Sequence, residues 1–579
     1  MSFIRLALAQ INPHMGDLPA NKKIILEQIE LARNNNVDVI AFPELAITGY
    51  PPNDLLFDPD FINDSREVLE DIVTHSSGLC VVIGFPEKIK EGDLLSNSAA
   101  IIADGELLDV YRKCLLPNYG VFDEKRYFSP GDSFSIYRIR ETNVAINICE
   151  DIWYPEGPLR AQSMAGADLI LNFNASPFHQ DKRSERLAML KDRAVENGVT
   201  ICYVNMTGGQ GELVFDGNSL VVDQNGRLIA EAAQFQEDLI LLDMDIKSSA
   251  SSKNLSGEGS KQKEVAFSHN GTILVNDERG SNTKKQILAR NPYIPNSELE
   301  EIYNALVMGT RDYVRKNNFS TVLLGLSGGI DSALTATIAA EALGPSNVIC
   351  VNMPSSISSQ HSVTDSQIMV NNLGVRFESF PISGIVDAYV NEMPLTLALD
   401  RPNVAHENIQ ARVRGNILMA LANKNNWLVL ATGNKSEYAT GYATLYGDMS
   451  GGLAVIKDLS KTLVYQISRY YNDKMNKLII PESILDKEPS AELRLDQFDI
   501  DSLPPYQILD KILKYYIELH YSVGQIIDEG FEREIVENII SLINKSEYKR
   551  SQAAVGIKIT KVAFGKDRRY PIVNGFSHA

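Results

Sequence analysis

The sequence predicts two successive α/β domains, a layered one over residues 1–246 and a doubly wound one over 291–579, joined by a polar linker over 247–290. Three observations carry this. The first half alternates strand-like runs (IRLALAQI, VDVIAFPE, LCVVIGFPE, NVAINICE, DLILNFNAS, TICYVNMT) with helical stretches. After Asn291 the alternation resumes. Between the two, the text turns to Ser, Lys, Gly and Asn around one short ILV run. At roughly 150 residues per domain, 579 residues leave room for about two to four.

In order along the chain, the opening MSFIRLALAQ carries Arg5 inside an apolar alternation and lacks the order of a signal peptide, so it reads as a first strand and a cytoplasmic product is expected. Ile25, Ile29 and Ala32 share one helical face. In the second half TVLLGL is a buried strand, followed by a helix from about Asp331 with Leu334, Ile338 and Ala342 in register and Gly344 as its stop. NVICVNMP and VRFESFPI are further strands, VAHENIQARVRGNILMALANK a long helix, and WLVLATGN the next strand. A parallel doubly wound sheet follows from that order, with mostly helical text in the last hundred residues. No solenoid-like repeat is present.

Composition narrows the function. Lys plus Arg (55) against Asp plus Glu (74) gives −19, which argues against broad nucleic-acid or anionic-membrane binding while leaving room for a local phosphate pocket. Hydrophobic (44%) and charged (22%) fractions are those of a globular protein, and no apolar run approaches the roughly 18 residues of a membrane helix. Five scattered cysteines without C-x-x-C, and eight histidines without H-E-x-x-H, suggest neither disulfides nor zinc. No haem or flavin is expected either.

Three strand-like runs end in a reactive side chain: VDVIAFPE at Glu44, LLDVYRK at Lys113 and NVAINIC at Cys149. Cysteine attacks amides as the thiolate; a neighbouring ammonium lowers its pKa and a carboxylate shuttles the proton, so Glu, Lys and Cys form a sufficient set. Cys80, Cys202 and Cys350 lie inside apolar strands and read as core residues, and Cys114 as structural. From spacing alone Cys149 reads equally as a buried thiol. The stretches FPELAITGYPP, YRKCLLPNYGVFDEKRYF and NICEDIWYPEGP resemble the Glu-Lys-Cys signatures of the nitrilase (carbon–nitrogen hydrolase) superfamily, a four-layer αββα fold, in its glutaminase form. That resemblance implies Glu44 as general base, Lys113 as oxyanion stabiliser and Cys149 as the nucleophile that forms a glutamyl thioester. It also implies Glu124 as an auxiliary carboxylate, and Tyr119, Ser176 and Lys182 as contacts for glutamine.

TVLLGLSGGIDSALTA is a strand, a Ser-Gly-Gly turn and a helix, which aims free N–H groups and the positive helix end at one point. Gly328 and Gly329 allow close backbone approach, and Ser327 and Ser332 add hydroxyls. With no G-x-x-x-x-G-K-[ST] the usual P-loop is excluded. SGGIDS between strand and helix resembles the PP-loop of the N-type ATP pyrophosphatases, which cleave ATP between its α and β phosphates to adenylate an acceptor. By that resemblance residues Gly325, Leu326, Ser327, Gly328, Gly329, Ile330, Asp331 and Ser332 bind ATP, with Asp331 a magnesium ligand rather than only a helix-start carboxylate.

ENIQARVR, LATGNKSEYATGYATLYGDMSGG, KDLSKTLVY and EYKRSQAAVG are similar to NAD synthetases, and with the first half the chain resembles the glutamine-dependent members of that family. The resemblance implies amidation of deamido-NAD through an adenylate, with ammonia from L-glutamine passed through an internal tunnel. Thr432 then lies in the ATP site, Glu437 is a second magnesium ligand, and Asn408, Glu437 and Lys549 face deamido-NAD. Asn408 and Arg412, four apart on one helix, can face one ligand. Lys461 contacts phosphate or caps a helix. EYKRSQAAVG, the stretch that carries Lys549, departs from the expected pattern at an Ala in place of Pro. The resemblance implies at least a dimer. Rival readings are a PP-loop amidotransferase acting on another carboxylate or nucleotide, and an ammonia-only synthetase with a silent N-terminal assembly module. Ser2 in place of Cys argues against an asparagine-synthetase-like glutaminase, and NICEDIW against a G-x-C-x-G elbow.

Overall fold

The alternation in the opening run has a packing cause. In the computed structural model, which describes residues 3–89, 94–246, 267–275, 297–392, 404–490, 492–494 and 497–576, strand β1 (Ile4–Gln10) is buried on both faces. Ile4, Leu6 and Leu8 join one core with Ile146, Leu171 and Val204, while Ala7 and Ala9 join another with Ile25, Ile29 and Ile72. Two compact units are distinguished, residues 1–210 with 215–295, and residues 211–214 with 296–579.

The first unit continues with β2 (Val39–Ala41), β3 (Cys80–Lys88), β4 (Leu95–Ala103), β5 (Glu106–Arg112), β6 (Ser133–Ile139), β7 (Thr142–Ile148), β8 (Leu169–Asn174) and β9 (Thr200–Asn205). After a ribbon of β10 (Thr207–Gln210) and β11 (Leu213–Asp216) come β12 (Leu220–Val222), β13 (Leu228–Glu231), β14 (Asp238–Met244) and β15 (Ser268–Val275). They form two sheets, β14-β1-β2-β3-β4-β5 and β13-β12-β9-β8-β7-β6-β15. Helices α1 (Leu18–Asn34) and α2 (Pro59–Thr74) pack on the first sheet, and α3 (Pro158–Met164) and α4 (Lys182–Asn197) on the second, giving the expected αββα layers. Local chemistry starts the helices where the sequence says: Asp17 accepts from Ala20 N and Asp58 from Asp60 N, each with a proline in the first turn.

Within the stretch expected as linker, residues 268–275 form β15, paired in parallel with β6 at the end of the second sheet. The polar setting hid an edge strand, because only Val275 of it is buried. Residues 247–266 and 276–290 lie outside the described residues.

The second unit holds one all-parallel sheet of β16 (Val322–Gly325), β17 (Val348–Asn352), β18 (Arg376–Ser379), β19 (Leu428–Ala431), β20 (Leu453–Ala454) and β21 (Val555–Gly556), ordered β18-β17-β16-β19-β20-β21. The direction of winding reverses between β16 and β19, the place where doubly wound sheets open a ligand crevice at their carboxyl ends. Its first helices are α5 (Glu298–Lys316), α6 (Ile330–Leu343), α7 (Gln360–Leu373), α8 (Ser383–Glu392) and α9 (Val404–Asn425). Helix α6 buries every residue but Asp331 and Glu341, and α8 and α9 cover one sheet face through Val386, Val413 and Leu418. There follow α10 (Lys435–Thr440), α11 (Lys461–Met475), α12 (Glu482–Leu485), α13 (Tyr506–Leu513), α14 (Val523–Asp528), α15 (Arg533–Lys545) and α16 (Glu547–Arg550). No helix among the described residues is long and apolar enough to cross a membrane.

One glycine fixes how the chain leaves β2. A Cβ on Gly84 of β3 would lie 2.3 Å from Leu45 N and 2.8 Å from Pro43 O, so only glycine lets the Pro43–Leu45 backbone pass. Gly84→Ala should therefore destabilise the first unit by about 1–3 kcal/mol, since a backbone clash cannot relax by rotamer change. Urea unfolding followed by Trp153 fluorescence in a Trp427→Phe background should show the lower midpoint; an unchanged midpoint would contradict the close approach.

Candidate active sites

Glu44, Lys113 and Cys149 each lie just past a strand end, beyond β2, β5 and β7. All three are buried. Lys113 Nζ donates to Glu44 Oε1 at 2.6 Å and to Glu124 Oε1 at 2.8 Å. Glu44 Oε1 also accepts from Asn97 Nδ2 at 2.7 Å and Oε2 from Ala175 N at 3.0 Å, while Tyr50 OH donates to Glu124 Oε1 at 2.9 Å. Burial by itself would lower the Lys113 pKa, but the facing Glu124 and Glu44 carboxylates outweigh it and hold the ammonium. Burial pushes the Glu124 carboxyl up to about 7 against the pull of Lys113.

Cys149 takes a left-handed backbone, φ +45°, as the first residue of a short turn. Such a conformation costs a non-glycine residue on the order of 1–3 kcal/mol unless its surroundings enforce it. Asp151 supplies the enforcement: its Oδ2 accepts from Ile148 N at 3.0 Å and from Tyr111 OH at 2.8 Å, and its Oδ1 from Cys114 N and Leu115 N. Burial, then the Glu44 charge, raises the Cys149 thiol, and Lys113 opposes them. The resting thiol is therefore held in its protonated form.

Of the expected glutamine contacts, Tyr119 donates its hydroxyl to both oxygens of Glu150 at 3.0 Å while its ring stays exposed. Ser176 is buried, its N–H held by Asn205 Oδ1. Lys182 begins α4, with Nζ 4.3 Å from the centre of the Trp153 ring, and burial with the nearby Arg186 lowers it to about 8. Cys114 contacts Tyr111 OH inside the core, as expected of a structural thiol.

In the second unit the turn after β16 has Gly328 at φ +80°, where a Cβ would meet Ser362 O at 2.5 Å. Gly329 N donates to Ser327 Oγ, and the Ser327 and Ser332 hydroxyls lie 3.2 Å apart at the start of α6. A cleft of about 250 Å³ opens there, lined by the loop residues Gly325, Leu326, Ser327, Gly329, Ile330, Asp331 and Ser332, with Thr432 and Glu437 opposite after β19. Lys461 Nζ bridges Asp331 Oδ2 at 2.5 Å and Glu437 Oε1 at 3.4 Å, and Asn434 Nδ2 donates to Asp331 Oδ1 at 2.9 Å. Burial and the Asp331 charge push the Glu437 carboxyl up to about 8.

Asn408, Arg412 and Lys549 converge elsewhere, on the loop after α10. Asn408 Oδ1 accepts from Thr444 Oγ1, Arg412 Nε donates to Leu445 O, and Lys549 Nζ donates to Gly441 O and Ala443 O. Neither Asn408 nor Lys549 lines the phosphate-loop cleft.

Sequence reasoning missed Asn97, Tyr50 and Asn434. Asn434 was recoverable: N-K-S-E is a capping box, and Asn434 caps α10 with Glu437 as its reciprocal partner. Asn97 left only a faint mark, a polar residue amid the apolar run of β4.

The carbon–nitrogen hydrolase family model matches residues 5–254 and the NAD synthase family model residues 302–553. The chain is 45% identical over 579 residues to the glutamine-dependent NAD(+) synthetase of Thermotoga maritima, spanning 100% of this chain and 99% of that protein. It is 45% identical to that of Aquifex aeolicus, spanning 99% and 100%. The solved glutamine-dependent NAD+ synthetase of Acinetobacter baumannii, in complex with ADP, aligns at TM-score 0.74 and 38% identity over 100% of both chains. The Cytophaga hutchinsonii structure, at TM-score 0.80 and 23% identity over 99% of this chain and 98% of that one, shares the fold.

All five cysteines are buried and unpaired by disulfides, but only Cys149 faces both Lys113 and Glu44. Iodoacetamide at neutral pH should therefore label Cys149 first in the native chain, read by peptide mass mapping. Removing the proton acceptor with Glu44→Gln should slow that labelling by about 10²-fold. Equal labelling of Cys149 and Cys114 would contradict the reading.

Proposed function

The chain belongs to the glutamine-dependent NAD(+) synthetase family, and from that premise we propose how its residues divide the reaction of a glutamine-hydrolysing NAD synthetase. We assign glutamine hydrolysis to residues 1–246 and NAD formation to residues 291–579. The observation that carries this is the presence in one chain of a complete buried Glu44–Lys113–Cys149 cluster and a strand–SGG–helix loop at a sheet switch point.

In the first site Glu44 accepts the Cys149 thiol proton as Sγ attacks the glutamine amide carbon. The oxyanion forms beside Lys113 Nζ, already oriented by two carboxylates. Collapse breaks the C–N bond, Glu44 returns the proton to the departing nitrogen, and ammonia leaves. Water, deprotonated by Glu44, then hydrolyses the thioester to glutamate. Glu124 keeps Lys113 in place, and Tyr119, Ser176 and Lys182 hold the amino-acid end of glutamine.

In the second site the Gly328 N–H, the Ser327 and Ser332 hydroxyls of the loop and the start of α6 hold the phosphates of ATP. The nicotinate carboxylate of deamido-NAD attacks the α-phosphorus, pyrophosphate leaves, and ammonia attacks the acyl carbon of the adenylate to release AMP. Asp331 and Glu437 suit a magnesium ion: two partly exposed carboxylates share one lysine, so the cluster carries an excess acidic charge that a hard cation with phosphate oxygens would balance. When bound, that ion neutralises phosphate charge. Thr432 contributes to the ATP site, and Asn408, Glu437 and Lys549 act on deamido-NAD, Asn408 and Lys549 through the 441–444 loop they brace. Direct passage of ammonia inside the protein keeps it unprotonated and keeps the adenylate from water. We expect the enzyme to work as a dimer or larger assembly.

Cys149→Ala should lower glutamine-dependent NAD formation by about 10⁴-fold or more and leave the ammonium-supported rate intact. Loss of both rates would sink the two-site division. With ¹⁵N-amide glutamine and excess unlabelled ammonium, the label should still reach NAD; full dilution would refute direct transfer. Gly328→Ala, which strains the loop by about 1–3 kcal/mol, should weaken ATP use with either nitrogen source, measured as pyrophosphate release.

A further inference from the structure

We propose that Asn97 is the positioning residue of the glutaminase site, and that it selects Glu44 Oε2 as the atom that takes the thiol proton. The proposal rests on the glutaminase reading above.

Glu44 is fully buried and its hydrogen bonds can be counted. Oε1 accepts from Lys113 Nζ at 2.6 Å and Asn97 Nδ2 at 2.7 Å, which uses both of its lone pairs. Oε2 accepts only from Ala175 N at 3.0 Å and keeps one lone pair. Since Glu44 is an acceptor here, the Asn97 amide must turn its NH₂ toward it. Asn97 also fixes the other partner: its backbone carbonyl accepts from Lys113 N at 2.9 Å. One fully buried residue of β4 thus sets both the lysine's place and the carboxylate's rotation.

Lysine without the asparagine would not do this. A carboxylate facing a lone ammonium can turn to share both oxygens with it, and Oε2, which already accepts from Ala175 N, then has no lone pair left for a thiol. A second donor on Oε1 removes that option and leaves Oε2 as the base. The amide Oδ1 of Asn97 is buried with no hydrogen-bond partner, so the side chain is not held there by a competing network of its own.

The test uses the full chain with Asn97→Leu, near in size without a donor, and Asn97→Ser, which matches the neighbouring Ser96 and Ser98 but cannot reach Glu44. Glutamine hydrolysis and ammonium-supported NAD formation are measured on each preparation. Both variants should lose about 10²-fold in kcat for glutamine, the size of a misplaced general base, with KM changed by less than about threefold. The ammonium-supported rate should stay at the wild-type level, and Cys149 alkylation should slow in parallel with kcat. A glutamine kcat at the wild-type value in either variant, or a loss confined to KM, would overturn the proposal. If the wild type itself hydrolyses no glutamine, the glutaminase reading fails, an outcome seen before any variant is made.

Discussion

A lysine ammonium with no access to water organises the first unit. Lys113 is fully buried, and an isolated ammonium there would lose its proton. It stays charged because Glu44 and Glu124 face it, and those carboxylates are themselves tolerable only because Asn97, Ala175 N and Tyr50 donate to them. Removing one partner from such a set leaves an uncompensated buried charge, typically worth about 3–5 kcal/mol. The strands carrying these groups therefore have little freedom in register: Gly84 must be a glycine for Glu44 to reach the lysine, and Gly131 must be one because a Cβ there would meet Arg112 O at 2.4 Å.

The second unit repeats the charge logic with different backbone. Lys461 lies between Asp331 and Glu437 as Lys113 lies between Glu44 and Glu124. In each cluster one cation faces two carboxylates, buried in the first and partly exposed in the second, and in each one carboxyl is pushed up, Glu124 to about 7 and Glu437 to about 8. Burial dominates both shifts. The chemistry diverges because of what stands beside the cluster. A strained cysteine at φ +45° gives the first a nucleophile, and a glycine loop at a helix start gives the second an anion cradle.

Position along the sheets explains why both clusters can exist in the same chain. The first site's residues follow the ends of β2, β5 and β7, and the second site's follow β16 and β19, where the winding order reverses. Short loops at strand ends let distant sequence segments, such as Glu44 and Lys113, converge while the strands carry the packing. The phosphate loop in addition needs the close pass of Ser362 over Gly328, which fixes it from outside its own segment.

Sequence by itself determined the α/β layers, the strand–SGG–helix loop, and the identity of Glu44, Lys113, Cys149 and Asp331 as chemically apt groups, because period, turn chemistry and residue type are local properties. It also held the capping box at Asn434 and the stop at Gly344 in legible form. Other features were decided only by tertiary structure. The edge strand β15 was masked by its polar setting and exists through pairing with β6. Asn97 and Tyr50 matter through partners 53 and 74 residues away, a separation no pattern in the chain encodes. That Asn408 and Lys549 hold the loop after α10 also follows from tertiary structure, since where a side chain ends depends on the partners it finds there. A residue's type tells what it can do, and burial among particular neighbours decides which of those things it does.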